Sequence, residues 1–212
     1  METFAVVIPS RDRPELFKFC REQIERQTIQ PKNKYFIAFK PENGKPDLVK
    51  RIKNGVQLAK NDGIDYIVLI EDDDAYPSKY LEQIDFNADF FGYEQTVYYN
   101  IKNRTYGEFK HRGRSSLFCT GFKVSALDDF VWPPDDTVFL DIKIWEFAQK
   151  KKKKITLLKN NPCLGIKGHG EGTSGGKGHR MKLKNQDNDL SFLRSRVDPI
   201  AFEFYTDLMK RL

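Results

Sequence analysis

The chain has 212 residues, of which 39% are hydrophobic and 31% charged, and a formal net charge of +6. That length favours one core over two small ones, and 17 Phe with 9 Tyr exclude bulk disorder. The longest fully apolar stretches, such as residues 4–8, fall far short of the roughly twenty residues that cross a bilayer, so no membrane span is expected.

Residues 4–8 form a β-rich run that ends at Pro9 and read as a first strand. Glu2 precedes it without a signal-peptide pattern, and a cytoplasmic location is expected. Asp12 is the expected N-cap of a helix with Pro14 in its first turn, where a missing N–H is harmless. Leu16, Phe17, Cys20 and Ile24 then recur at helical spacing. Residues 35–39 read as a second strand, closed by Lys40 and Pro41. Leu48, Val49, Ile52, Val56 and Ala59 mark a second amphipathic helix that stops at Asn61-Asp62-Gly63. Residues 66–70 are apolar throughout, as a strand covered on both faces should be. Strand–helix–strand–helix–strand at this spacing predicts a parallel, right-handed α/β sheet. Ligands of such sheets bind at the carboxyl ends of the strands, here residues 9–13, 40–42 and 71–74.

Further along, residues 88–99 and 115–120 read as strands, 136–150 as a helix and 155–158 as a short strand. Residues 164–184 are glycine-rich and basic, and are expected to be a mobile loop. Phe202, Tyr205, Leu208 and Met209 fit one face of a terminal helix. Cys20, Cys119 and Cys163 are odd in number and lack a CxxC pair, which points to buried reduced thiols.

Glu71-Asp72-Asp73-Asp74 follows directly on the third strand. Alternate residues of an extended segment share a face, so Asp72 and Asp74 converge on one point. Two carboxylates that close repel, and a cation between them relieves it. Hard oxygen ligands suit Mg²⁺ or Mn²⁺, usually beside substrate phosphates. A solvated acidic turn that caps the next helix is the plainer reading.

Val6-Val7-Ile8-Pro9-Ser10-Arg11-Asp12-Arg13-Pro14 resembles the opening of GT-A fold glycosyltransferases of family 2. Residues 66–74 resemble that family's third-strand DxD motif, and Tyr76-Pro77-Ser78-Lys79-Tyr80-Leu81 resembles its continuation. Gly121-Phe122-Lys123 followed by Asp141 weakly resembles the acceptor half. The resemblance implies one α/β domain over residues 1–212, with a mostly parallel Rossmann-like sheet flanked by helices. Residues 1–85 would form the nucleotide-sugar half, 86–165 the acceptor half, 166–185 a glycine-rich loop and 190–212 a C-terminal helix. It implies that Pro9, Ser10, Arg11 and Arg13 hold the nucleotide of an activated sugar, a UDP-sugar being favoured, with Lys40 and Glu42 near the base. Asp72 would face ribose and metal, Asp73 would touch the donor, and Asp74 would bind Mn²⁺ or Mg²⁺. Asp141, with Asp135 and Asp136 as competitors, would take the acceptor proton in an inverting transfer. His179, or else His169, would be a third metal ligand.

The segment from Gly165 to His179 also matches GxGxxG, GxSxG and HxE formally. None sits in the strand–helix or PCxxC context that its chemistry needs. The acceptor is the open question. Residues 150–154 and 111–114, with Lys182, Lys184, Arg194 and Arg196, give a basic surface. Lysine runs are usually solvated faces. Beside a sugar site they also fit a nucleic-acid acceptor, such as a hydroxylated base in DNA. A carbohydrate or protein acceptor, a metal-dependent nucleotidyltransferase and a non-catalytic nucleic-acid-binding module are the alternatives.

Overall fold

The computed structural model describes residues 2–40, 46–170 and 183–212. Glu42 and His179, both expected at the site, lie outside the described residues. The first half contains β1 (Phe4–Ser10), α1 (Pro14–Glu25), β2 (Asn33–Ala38), α2 (Leu48–Asn61) and β3 (Tyr66–Leu69). The second contains β4 (Phe90–Tyr93), β5 (Gln95–Asn100), β6 (Thr105–Lys110), β7 (Gly121–Lys123), α3 (Leu140–Lys150), β8 (Ile155–Leu158) and β9 (Leu164–Lys167). The chain closes with β10 (Asn185–Gln186), α4 (Ser191–Arg196) and α5 (Pro199–Met209).

Six strands form one sheet in the order β2-β1-β3-β7-β4-β8, and four form a second in the order β10-β6-β5-β9. β1 pairs in parallel with both β2 and β3, as the alternation of elements requires. The remainder is mixed: β7 runs antiparallel to β3 and β4. All seven residues of β1 are buried, and its two faces feed different cores. Ala5 and Val7 pack with Val49, Ile52 and Val56 of α2, whereas Val6 and Ile8 pack with Cys20 and Ile24 of α1. A third core joins Leu16 and Phe19 to β5, β9 and α5.

Several boundaries depart from expectation for local reasons. Arg13, not Asp12, occupies the N-cap of α1, and it makes no capping bond. Asp12 instead turns the chain with φ 47°, a left-handed conformation that Asp tolerates better than most residues. Residues 88–99 split at Glu94 into β4 and β5, which belong to different sheets. Residues 115–120 carry a short 3₁₀ turn, Leu117–Cys119, and the strand begins only at Gly121, where a Cβ would collide with the Phe91 ring. Helix α3 starts at Leu140, because Pro133 and Pro134 lead into a turn closed by Thr137 N–H on the Pro134 carbonyl. Residues 164–167, expected in a mobile loop, are β9. The terminal helix is capped by Asp198, whose side chain accepts from Ala201 N–H at 2.8 Å. All three cysteines are free and buried. Among the described residues no helix is long and apolar enough to cross a membrane.

Candidate active site

The chain leaves β3 in a turn, in which Asp74 N–H donates to the Glu71 carbonyl at 3.3 Å. Residues 71–74 are therefore not extended, and the alternation that would pair Asp72 with Asp74 does not apply. Asp72, Asp73 and Asp74 are all buried, and the first two share Arg13. The Arg13 guanidinium lies 2.5 Å from Asp72 Oδ1 and 2.9 Å from Asp73 Oδ2. His169 Nε2 lies 2.9 Å from Asp73 Oδ2. Asp74 faces inward: its Oδ1 accepts from Ile166 N–H at 2.7 Å and lies 3.6 Å from Lys167 Nζ. Gln23 fixes the same turn through the Asp74 carbonyl at 3.0 Å and Tyr76 N–H at 2.8 Å. Ala75 and Leu164 exchange backbone bonds of 2.9 and 3.0 Å, which brings β9 against the turn.

A cleft of about 490 Å³, its open mouth included, lies at the carboxyl ends of β1 and β3. Pro9, Ser10, Arg11, Arg13, Asp47, Leu48, Arg51, Glu71, Asp73 and Lys167 line it. Arg51, fully buried, braces one wall. It donates to the carbonyls of Ser10, Ile37 and Phe39, and it grips Asp47 through two bonds of 2.9 and 2.7 Å. Arg11 reaches the same carboxylate at 3.5 Å.

Four carboxylates thus face Arg13, Lys167 and His169. Burial pushes Glu71 and Asp72 up to about 7, with Asp73 adding to both shifts. For Asp73, burial is outweighed by Arg13, Lys167 and His169, and its carboxyl is held well below the usual range. Asp74 is pushed well above it, because burial outweighs Lys167. Burial would lower Lys167, but Asp74, Asp73 and Glu71 together raise it. Of the four, Asp73 is the carboxylate held most firmly ionised.

The Asp73 carboxylate is the hard oxygen donor that Mg²⁺ or Mn²⁺ takes, and the 2.9 Å between its Oδ2 and His169 Nε2 is that of the hydrogen bond the two share. Among the described residues no three His, Cys, Asp or Glu side chains gather as a metal group. Mg²⁺ rarely needs more than one or two carboxylates when substrate phosphates complete its shell.

Of the residues singled out in the sequence, Pro9, Ser10, Arg11, Arg13 and Asp73 meet in the cleft. Asp72 lies behind them on Arg13, Asp74 is turned away, and Lys40 is exposed beyond the end of β2. Asp141 stands in the first turn of α3, where the Arg114 guanidinium holds its Oδ2 at 2.6 Å. Burial raises its carboxyl despite Arg114, and Asp141 in turn helps to raise Glu71. Asp135 and Asp136 are exposed. Gln23, Asp47 and Arg51 carry no motif signal, since nothing in their neighbourhood marks them as more than helix residues.

No protein-family model and no curated protein matches the chain. Solved structures do. S. aureus TarS 1–349 in complex with UDP-GlcNAc superposes with a TM-score of 0.55 at 11% identity, over 82% of this chain and 61% of that one. The same protein in complex with UDP gives 0.54 at 10%, over 79% and 61%. The present chain thus spans about three fifths of those TarS chains, and the likeness is one of fold.

Proposed function

We propose that this chain, built on the GT-A fold that it shares with TarS, is a metal-dependent glycosyltransferase that moves a sugar from a nucleoside diphosphate to an acceptor hydroxyl. The observation that carries this reading is the cleft at the ends of β1 and β3, where Arg11, Arg13 and Lys167 meet Glu71 and Asp73. Guanidinium groups bind phosphate oxygens in pairs, and a diphosphate seated there would meet three cations. A UDP-sugar is the favoured donor, because TarS was solved with UDP and with UDP-GlcNAc.

Asp73 and His169 would hold Mn²⁺ or Mg²⁺. When bound, the ion supplies Lewis-acid neutralisation of the departing diphosphate. The chain's own residues do the rest. Arg13 and Lys167 stabilise the charge that develops on the leaving group. Asp141 takes the proton of the acceptor hydroxyl, helped by the upward shift that burial gives its carboxyl. The acceptor oxygen bonds to the anomeric carbon from the face opposite the diphosphate, the carbon–oxygen bond to the diphosphate breaks, and configuration inverts. Residues 1–85 then serve the donor and 86–165 the acceptor. For the acceptor we favour a hydroxylated base in DNA, on the strength of the +6 net charge.

The test is release of free nucleoside diphosphate from a set of nucleotide sugars with Mn²⁺ or Mg²⁺. Wild type should release UDP from at least one UDP-sugar, and Asp73→Asn should lose at least a hundredfold. No turnover of any donor with either ion overturns the reading.

A further inference from the structure

Lys167 is the cation that β9 brings to the cleft, and an ammonium on a flexible four-carbon stem does not keep one position unaided. Asp74 supplies charge but no direction, since 3.6 Å from its Oδ1 to Lys167 Nζ is too long for a hydrogen bond. The Lys167 side chain is nevertheless only 13% exposed. Its cover comes from β5. In the parallel pairing of β5 with β9, Tyr98 stands opposite Gly165. Lys167, two residues further along β9, shares the face of Gly165. With no side chain at Gly165 the Tyr98 ring lies across the strand, and a Cβ there would collide with it. Lys167 Nζ lies over the face of that ring, 5.3 Å from its centroid. An ammonium at this distance is attracted by the negative face of an aromatic ring.

Tyr98 is itself fixed. Its hydroxyl lies 3.0 Å from Ser116 Oγ, which in turn lies 2.9 Å from Thr96 Oγ1 and 3.0 Å from His111 Nε2. The rings of Phe109 and Phe118 flank it, with centroids 5.5 and 6.1 Å away. Burial pushes the phenol up to about 12 although Lys167 opposes the shift, so the hydroxyl keeps its proton at neutral pH.

We infer that Tyr98 is a positioning residue for the transfer, its ring holding the Lys167 ammonium where a diphosphate in the cleft meets it. Tyr98 is not among the described residues that line the cleft, and it acts through Lys167. Asp74, Asp73 and Glu71 all attract Lys167. Without the ring, that pull would fold the ammonium down into the acidic turn and away from the donor. A cation fixed in advance loses no side-chain freedom when the diphosphate arrives, and it already points at the charge that develops on the leaving group. The inference deepens the transferase reading and rests on it for the diphosphate that Lys167 meets.

A double-mutant cycle on UDP affinity, measured with Mn²⁺, tests it. Tyr98→Leu removes the ring and should weaken UDP by roughly tenfold. Tyr98→Phe keeps the ring and should stay within about twofold of wild type. In a Lys167→Met background, Tyr98→Leu should cost nothing further. Wild-type affinity in Tyr98→Leu overturns the inference. So does an equal loss with and without Lys167, which is what a merely structural ring would give. Nuclear magnetic resonance reads the contact with no nucleotide present. The ε-methylene protons of Lys167, lying over an aromatic face, should resonate upfield of those of Lys18 and Lys79, which are exposed. In Tyr98→Leu they should move back among them. Lys167 protons found among the exposed lysines in wild type overturn the inference, even where Tyr98→Leu fails to fold. Failure of wild type to bind UDP overturns the transferase reading, and the Lys167 resonance then decides the ring contact by itself.

Discussion

The two walls of the cleft are built by opposite means. The turn after β3 is all charge, and side chains from elsewhere hold it: Arg13, Lys167 and His169 take its carboxylates and Gln23 its backbone. The facing segment, β9 and the residues to His169, is held by main chain. It pairs in parallel with β5 and bridges Ala75. Gly165 lets it close on Tyr98, and Gly168, at φ 79°, closes on Asn100, where a Cβ would collide. The acidic wall is therefore unstable alone, and the second wall exists to deliver cations to it. Long-range strand pairing, not local sequence, completes the site.

The largest way to break that dependence is to remove the shared cation. Arg13→Met strips two buried carboxylates of their partner and should cost about 3–5 kcal/mol, read from urea unfolding near neutral pH. Retention of wild-type stability would mean that the acidic wall stands without its cations. Next comes the ion. At a hundred times its dissociation constant Mn²⁺ should stabilise wild type by about 2.7 kcal/mol. His169→Ala and Asp73→Asn should lose that gain, whereas Asp74→Asn should keep it on a less stable protein. Equal loss in all three would return Asp74 to the metal. A smaller effect comes from the main-chain wall. Gly168→Ala strains a left-handed residue against an Asn100 side chain already fixed by Asn103 N–H at 3.0 Å. It should cost about 1–3 kcal/mol and weaken UDP binding by displacing His169.

How far this difference could be read beforehand follows the same line. Residues 1–69 carried local signals: Pro14 after the first strand, helical spacing in α1 and α2, and an apolar β3. Their elements fall within a residue or two of expectation, with only the capping residue of α1 misassigned. The charge at residues 71–74 was legible, but its geometry was not. The Asp74-to-Glu71 backbone bond turns the chain, and one residue of rotation decides which carboxylates see the cleft. β9 was illegible. Leu164 and Ile166 alternate with glycine and lysine, which reads as a loop until β5, over sixty residues away, supplies its partner. Arg51 and Asp47 look like any charged pair on a helix, yet they tie the ends of β1 and β2 together.

The smallest expected effect concerns the loop that carries Arg114. His111 accepts or donates to Thr96 and Ser116 at 3.1 and 3.0 Å. Burial, with Arg114 beside it, lowers its pKa to about 4. The unfolded imidazole takes its proton near 6.5, so between pH 6.5 and 4 the unfolded state binds more protons. Stability contributed by neutral His111 is present above that window and is lost as pH falls through it. Thermal unfolding scanned across the window should show this slope in wild type and not in His111→Gln. The same slope in both would assign the acid sensitivity to the carboxylates instead.

Calorimetric titration of UDP into the protein, with Mn²⁺ and with chelator, reads directly whether the cleft seats a diphosphate through Arg13, Asp73 and an ion. Wild type should bind UDP only with the ion, and Arg13→Met and Asp73→Asn should each weaken that binding by at least a hundredfold. UDP binding that ignores both the ion and these substitutions would place the nucleotide elsewhere and contradict that seating.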